Sequence, residues 1–362
     1  MCCILDLGSH EGLTVRVDLE KSYNKHLFTL GSSGTGKSTE NQKLMSQLAN
    51  SGCTIMAINR HHVLDKDQIY TAISENFENY SRRINVPDEG VKCNLFSPIC
   101  FSDETNEIPV SMINGISEII CASFHLTGSK QFLTVKTAVE EVYYNGYYIK
   151  HGLYALDQVL KTGRGYERFI AARISELTES GIFTSGDLVL HPGRINIFEI
   201  SNYTDSLQSA ITQILMAYIW RQALAGVYIN APIYLFLDEV QGLSCTRSSI
   251  ITKFITEGRK FGVNLILATQ MLDQESYAQT QALQSGLVLF FKPALGKEAE
   301  IARMINPEKK KEWIKTLSNL GIGEFVAVGN NLYLENKKTN KIANVNKAII
   351  VNGHIADKVS TY

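Results

Sequence analysis

The sequence predicts an α/β fold: a mostly parallel sheet covered by helices on both faces, with a helical insertion. Three observations carry this expectation. Short apolar runs recur in both halves of the chain, helix-length segments separate them, and the runs are continuous where strands buried on one face would alternate. With 362 residues and 44% hydrophobic content there is ample material for a large core.

The first run, GLTVRVD at 12 to 18, alternates like an exposed strand, and KHLFTLG at 25 to 31 is a short apolar strand ending in glycine. A helix at 37 to 50 and a buried-type strand, GCTIMAIN at 52 to 59, complete a strand, glycine loop, helix, strand unit, which implies parallel pairing. From 65 to 192 the period becomes helical: Ile69, Ile73, Phe77 and Tyr80 share one face, and Phe132, Val135, Val139, Val142 and Tyr143 another. This block reads as a mainly helical insertion packed on the core, its aromatic stripes as core residues. Strands return with RINIFEI at 194 to 200, PIYLFLDEV at 232 to 240, VNLILATQ at 263 to 270 and SGLVLFFK at 285 to 292, separated by helices at 204 to 225 and 246 to 260. In GEFVAVGNNLYLEN, at 323 to 336, an Asn-Asn turn between apolar runs predicts a terminal hairpin at the sheet margin. The expected division is therefore a first part of the core at 1 to 64, the insertion at 65 to 192, and a second part of the core at 193 to 362.

Lys and Arg total 35 against 36 Asp and Glu, a formal charge of -1, which excludes a broad basic surface and leaves only local nucleic-acid contacts. The seven cysteines, Cys2, Cys3, Cys53, Cys93, Cys100, Cys121 and Cys245, lack CxxC spacing and are odd in number, as expected of reduced intracellular thiols. No basic stretch leads into an apolar one at the start, so no secretory signal is expected. The longest apolar tract, 210 to 237, is broken by Gln213, Arg221, Gln222, Asn230 and Pro232, and reads as a helix followed by a strand. A cytoplasmic location without direct membrane insertion is expected.

The stretch FTLGSSGTGKSTENQKL, at 28 to 44, gives up side chains between a strand and a helix. Gly31, Gly34, Gly36, Lys37 and Ser38 fit G-x-x-x-x-G-K-S/T in the context that motif requires. Glycine admits positive φ and lets backbone N–H groups approach phosphate oxygens closely. Gly31, Ser32, Ser33, Gly34, Thr35, Gly36, Lys37, Ser38 and Thr39 are thus the expected cradle of ATP. Lys37 is suited to neutralise the β- and γ-phosphates, Ser38 to ligate Mg2+, and the helix amino end to add its dipole.

In IYLFLDEVQ, an apolar strand delivers Asp238 and Glu239 at its carboxyl end, where ligands bind in open α/β sheets. Asp238 is suited to hold Mg2+ through water, and Glu239 to polarise the water that attacks the γ-phosphate. In EGRKFGVNLILATQ, the strand ends in Thr269 and Gln270, delivered beside Asp238 if the two strands are neighbours. Gln270 would sense the γ-phosphate or orient water, with strand capping as the plain alternative. Arg259 ends the preceding helix, where a cation also suits the helix dipole. His61 and His62 are adjacent, a poor spacing for metal ligands, and read as loop residues.

Together these motifs resemble the HerA/FtsK branch of P-loop motor ATPases, which includes the pumping ATPases of conjugation systems. The likeness runs through VRVDLEKSYNKHLFTLGSSGTGKST, RINIFEI, LFLDEVQ, GRKFGVNLILATQ and GIGEFVAVG in the family's order. What the resemblance implies is a RecA-like core, a homo-hexameric ring, and ATP sites at subunit interfaces. It also implies that an arginine from one subunit reaches its neighbour's phosphates. Arg259 occupies the matching segment, with Lys260 the nearby alternative. The chain departs from the family in three places. The stretch before the core is too short for the amino-terminal β-barrel of HerA members, no membrane span like those of FtsK or the coupling proteins is found, and NRHH at 59 to 62 stands where an acidic residue is common.

The function implied is an ATP-driven ring motor translocating duplex DNA, with a nuclease or other effector protein as partner in DNA processing or antiviral defence. Near-neutral charge permits this, because symmetry multiplies the few basic residues a pore needs. CTRSS, at 245 to 249, is the pore-loop candidate. Two alternatives are a ring that regulates or assembles an effector, and a conjugation-type secretion ATPase indifferent to DNA. A small-molecule kinase would be monomeric and have no use for Arg259.

Overall fold

In this computed structural model residues 3–96, 98–101, 105–184, 186–240, 249–271, 277–345 and 348–353 are described. The strands, in chain order, are β1 (Ile4–His10), β2 (Leu13–Asp18), β3 (Leu27–Leu30), β4 (Thr54–Asn59), β5 (Ser81–Asn85), β6 (Val91–Lys92), β7 (Phe183–Thr184), β8 (Ile195–Glu199), β9 (Ile233–Leu237), β10 (Val263–Thr269), β11 (Leu287–Phe291), β12 (Glu324–Gly329), β13 (Leu332–Asn336), β14 (Lys341–Asn344) and β15 (Ala348–Asn352). Among the described residues, thirteen of them form one sheet, while β6 and β7 pair separately.

The core of that sheet is parallel throughout, in the order β11-β3-β10-β9-β4-β8-β5. Its inner strands are apolar on both faces because both faces are covered, whereas the edge strand β5, SRRIN, is not. Tyr234 and Phe236 of β9 join Leu44, Met45 and Leu48 of the helix Lys37–Asn50 on one side. Leu235 and Leu237 join Ile211, Leu215 and Ile219 of the helix Asp205–Leu224 on the other. The register sets Thr269 beside Leu30 and Leu267 beside Leu237, so the carboxyl ends of β3, β10 and β9 stand side by side.

Beyond β11 the sheet continues antiparallel as β12-β15-β1-β2-β13-β14. The hairpin expected across 323 to 336 is not formed by its two apolar runs: β12 pairs with β11 and β15, and β13 pairs with β2 and β14. Only Asn330 and Asn331 separate β12 from β13, a reach of at most about 11 Å, whereas four strand spacings in a flat sheet come to about 19 Å. The wing therefore curls. The chain turns its corner at Asn331, whose φ of 66° is one that asparagine tolerates, and β1 contributes a register shift between Asp6 and Gly8 that bends it further. The terminal hairpin is instead β13 with β14.

The stretch that reads as helical contains one strand of the main sheet, since β5 pairs in parallel with β8 and edges the core. Ile69 and Phe77, just before it, pack in the same cluster as Leu44 and Leu48. The helices Pro109–Ser123, Ser129–Tyr144, Tyr154–Thr162 and Tyr166–Glu179 lie between β6 and β7. Val135, Val139 and Val142 are buried there, continuous with Ile211 and Leu215. No described helix is long and apolar enough to cross a membrane.

Candidate functional site

The loop from Gly31 to Thr39 leaves β3 at the carboxyl edge of the sheet. Gly31 has room for no side chain, since a β-carbon there would stand 2.5 Å from that of Phe291. Its N–H donates to the Thr269 carbonyl (3.3 Å) and that of Ser32 to the Lys292 carbonyl (2.9 Å), so the loop is tied to β10 on one side and to the end of β11 on the other. Gly34 and Gly36 hold φ of 76° and 103°, values that strain any residue with a β-carbon. Thr35 Oγ1 (2.8 Å) and Lys37 Nζ (2.9 Å) both donate to the Ser32 carbonyl. Lys37, Ser38 and Thr39 open the helix Lys37–Asn50, whose amino end has Gly36 as its cap and no side-chain acceptor. Free helix N–H groups, a lysine and two hydroxyls form a donor set that suits a polyphosphate and a hard cation.

Asp238 and Glu239 follow β9 directly. Asp238 is 8% exposed, and its Oδ1 accepts the Glu239 N–H at 3.0 Å. Burial and then the charge of Glu239 push the Asp238 carboxyl up to about 6, against the opposing pull of that N–H and of Lys37. Burial likewise lowers the Lys37 ammonium, while Asp238 and Glu239 draw it back up. Glu239 has φ 52°, a strained backbone for a residue with a side chain and one that clusters at functional sites. Its Oε1 accepts from Gln270 Nε2, and Gln270 Oε1 accepts from Ser33 Oγ at 2.9 Å. Ser33, Gln270 and Glu239 thus form a hydrogen-bonded chain across the ends of three adjacent strands.

The structure brings Ser33, Lys37, Ser38, Asp238, Glu239 and Gln270 to one edge. It does not bring Arg259 there. That residue lies in the tight turn Gly258–Phe261 before β10, at the opposite end of the strand from Gln270, about 20 Å away for seven extended residues. Its Nη1 donates to the Tyr23 carbonyl at 2.5 Å, tying the turn to the chain ahead of β3. The same end holds His26, 2% exposed, whose Nδ1 accepts the Leu265 N–H at 3.0 Å. Burial, with Arg259 nearby, depresses its pKa from 6.5 to about 4 against a bond to the Ile255 backbone. The neutral ring is the folded form, so the unfolded chain takes up a proton first as pH falls. Stability from this residue is complete above about pH 6.5 and is lost towards pH 4, by at most about 3 kcal/mol. Urea unfolding of His26→Gln, which keeps an acceptor for Leu265, should show a flatter acid limb than the parent. Identical limbs would refute this.

The Ser33–Gln270 link has no local signal, because its partners are distant in sequence. The NRHH departure is informative in retrospect. Asn59 is fully buried and its Nδ2 donates to Asp65 Oδ1 and Glu199 Oε2, both at 2.6 Å. His62 Nδ1 lies 2.7 Å from Asp65, and His61 is exposed. Of the pore-loop candidate CTRSS, residues 245 to 248 lie outside the described residues.

A family described as P-loop containing dynein motor region matches residues 13–106. No curated protein matches the chain in sequence. Among solved structures, VirB4 of Thermoanaerobacter pseudethanolicus superposes with a TM-score of 0.70 at 17% identity, covering 94% of this chain and 96% of that one. The chain has the VirB4 fold. Coverage that high takes in the helical insertion and the curled wing as well as the parallel core. The bacterial conjugative coupling protein TrwB aligns with a TM-score of 0.58 at 12% identity over 94% of this chain and 88% of its own. TrwB in complex with ADP and Mg2+ gives 0.55 at 13% over 92% and 86%. The likeness is one of fold, and the RecA-like P-loop core expected from the motifs is present.

Proposed function

We propose that the chain is an ATP-hydrolysing motor subunit that assembles into a hexameric ring and translocates duplex DNA. The observation that carries it is the convergence of the phosphate loop, Asp238, Glu239 and Gln270 on one sheet edge, within a fold shared with VirB4 and with a TrwB structure that holds ADP and Mg2+. Lys37, now turned onto the Ser32 carbonyl, would exchange that bond for the β- and γ-phosphates. Ser38 and Asp238 would hold Mg2+, which supplies charge neutralisation at the phosphates. Glu239 would orient the attacking water and take its proton, with Gln270 fixing the carboxylate through the observed hydrogen bond. Arg259, remote from its own site, would complete a neighbour's.

The ATPase rate measured with and without duplex DNA tests the polymer assignment. Stimulation by DNA is expected. Equal rates, with stimulation instead by a membrane secretion complex, would favour a conjugation-type secretion ATPase. A nuclease or other effector partner and a cytoplasmic location belong to the proposed reading, and co-purification of an effector that the ring controls would support the regulatory alternative.

A further inference from the structure

Arg60 is the first residue beyond β4 and is 7% exposed. Among the described residues its Nε and Nη1 are shielded from solvent and have no hydrogen-bond partner. Nη2 is not among the shielded, partnerless atoms, and the little exposure the residue keeps leaves room for contact at that amino group. Asp205, in the first turn of the helix Asp205–Leu224, is the carboxylate whose charge acts on it, yet no ion pair joins the two. A guanidinium cannot shed its charge, and a buried charge without a partner is costly. An arriving anion would relieve that cost.

Position says which anion. The register sets Ile58 beside Leu237, so Arg60 continues β4 level with Glu239 one strand away. Along the carboxyl edge, from β3 through β10 and β9 to β4, come the phosphate loop, Gln270, Asp238 with Glu239, and then Arg60. In an in-line displacement the phosphoryl group moves from the leaving oxygen towards the nucleophile. With water held by Glu239, that movement would run from the phosphate loop towards β9, and β4 with the unpaired Arg60 is the next strand on that side.

We propose that Arg60 receives inorganic phosphate after cleavage and conducts it out along the β4 side of the site. The assignment rests on the ATP-hydrolysis reading and adds a product site to it. The nucleotide's diphosphate stays with the loop, so ADP binding does not involve Arg60.

Inorganic phosphate is the probe. Thermal melting of the parent, Arg60→Gln and Arg60→Lys with ADP and Mg2+, with and without millimolar phosphate, is compared with phosphate inhibition of steady-state turnover. Phosphate should raise the parent's melting point, and its inhibition constant should weaken about ten- to a hundred-fold in Arg60→Gln, the worth of one or two hydrogen bonds to a charged group. ADP affinity should be unchanged, and Arg60→Lys should recover part of the phosphate response. If Arg60→Gln does not fold, the loss and direction of response in Arg60→Lys carry the test. An unchanged inhibition constant overturns the proposal. So does equal destabilisation by Arg60→Gln and Asp205→Asn with an unaltered phosphate response, which would make Arg60 an ion-pair partner of Asp205. Melting needs no turnover: a parent that hydrolyses ATP but ignores phosphate overturns the Arg60 assignment alone, whereas one that responds to phosphate but never hydrolyses ATP overturns the ATPase reading alone.

Discussion

Arg259→Ala should bind ATP with modest loss and lose turnover by about 10³–10⁵-fold, the worth of an arginine finger in GTPases. The reason is positional. Arg259 and Gln270 bracket β10, with the phosphate loop at the Gln270 end, so the arginine cannot serve the site of its own subunit. It is exposed at the amino end of β10, and in a ring it would be open to a neighbour's phosphates. The bond to the Tyr23 carbonyl sets the competing account, a tether for the chain ahead of β3. Breaking an exposed hydrogen bond costs about 1 kcal/mol, so a tether alone predicts a slightly lower melting point and normal turnover. Mixing separates the two accounts. Rings built from Arg259→Ala and Lys37→Ala subunits contain some interfaces where an intact loop meets an intact arginine, and those should recover part of the activity. No recovery, in mixtures shown by mass to contain both subunits, would leave Arg259 as the tether.

Glu239→Gln should bind ATP and hydrolyse it about 10²–10⁴-fold more slowly, the range for a lost proton-transfer group. Glutamine keeps an oxygen able to accept from Gln270 Nε2, and the backbone at 239 keeps its shape, so the substitution removes charge and basicity while preserving the link to Ser33. Single-turnover hydrolysis measures it. Normal turnover would remove Glu239 from the chemistry.

The sheet edge that carries the site is legible because its signals are local. A glycine loop must stand between a strand and a helix, and β9 and β10 announce themselves as continuous apolar runs ending in acids or Thr-Gln. The two ends of the sheet are not legible in this way. All four residues of β14 are exposed, and β5 reads SRRIN, so neither has an apolar pattern of its own, and each is a strand because a partner offers it a ladder. At Asn330 and Asn331 the local turn chemistry pointed to a hairpin, and pairing with β15 and β2 overrode it. Arg60 is invisible to sequence for the complementary reason: its lack of a partner exists only once β4, β9 and the helix Asp205–Leu224 are assembled.

A site completed by two subunits requires an assembly, and the molar mass of the parent chain in ATP and Mg2+, measured by light scattering at micromolar concentration, tests this most directly. ATP that bridges subunits binds the assembled form preferentially and so stabilises it. A hexamer that persists with ATP and loosens when nucleotide is removed is the predicted result. A strict monomer under the same conditions would contradict the motor, because Arg259 would then have no phosphate to reach.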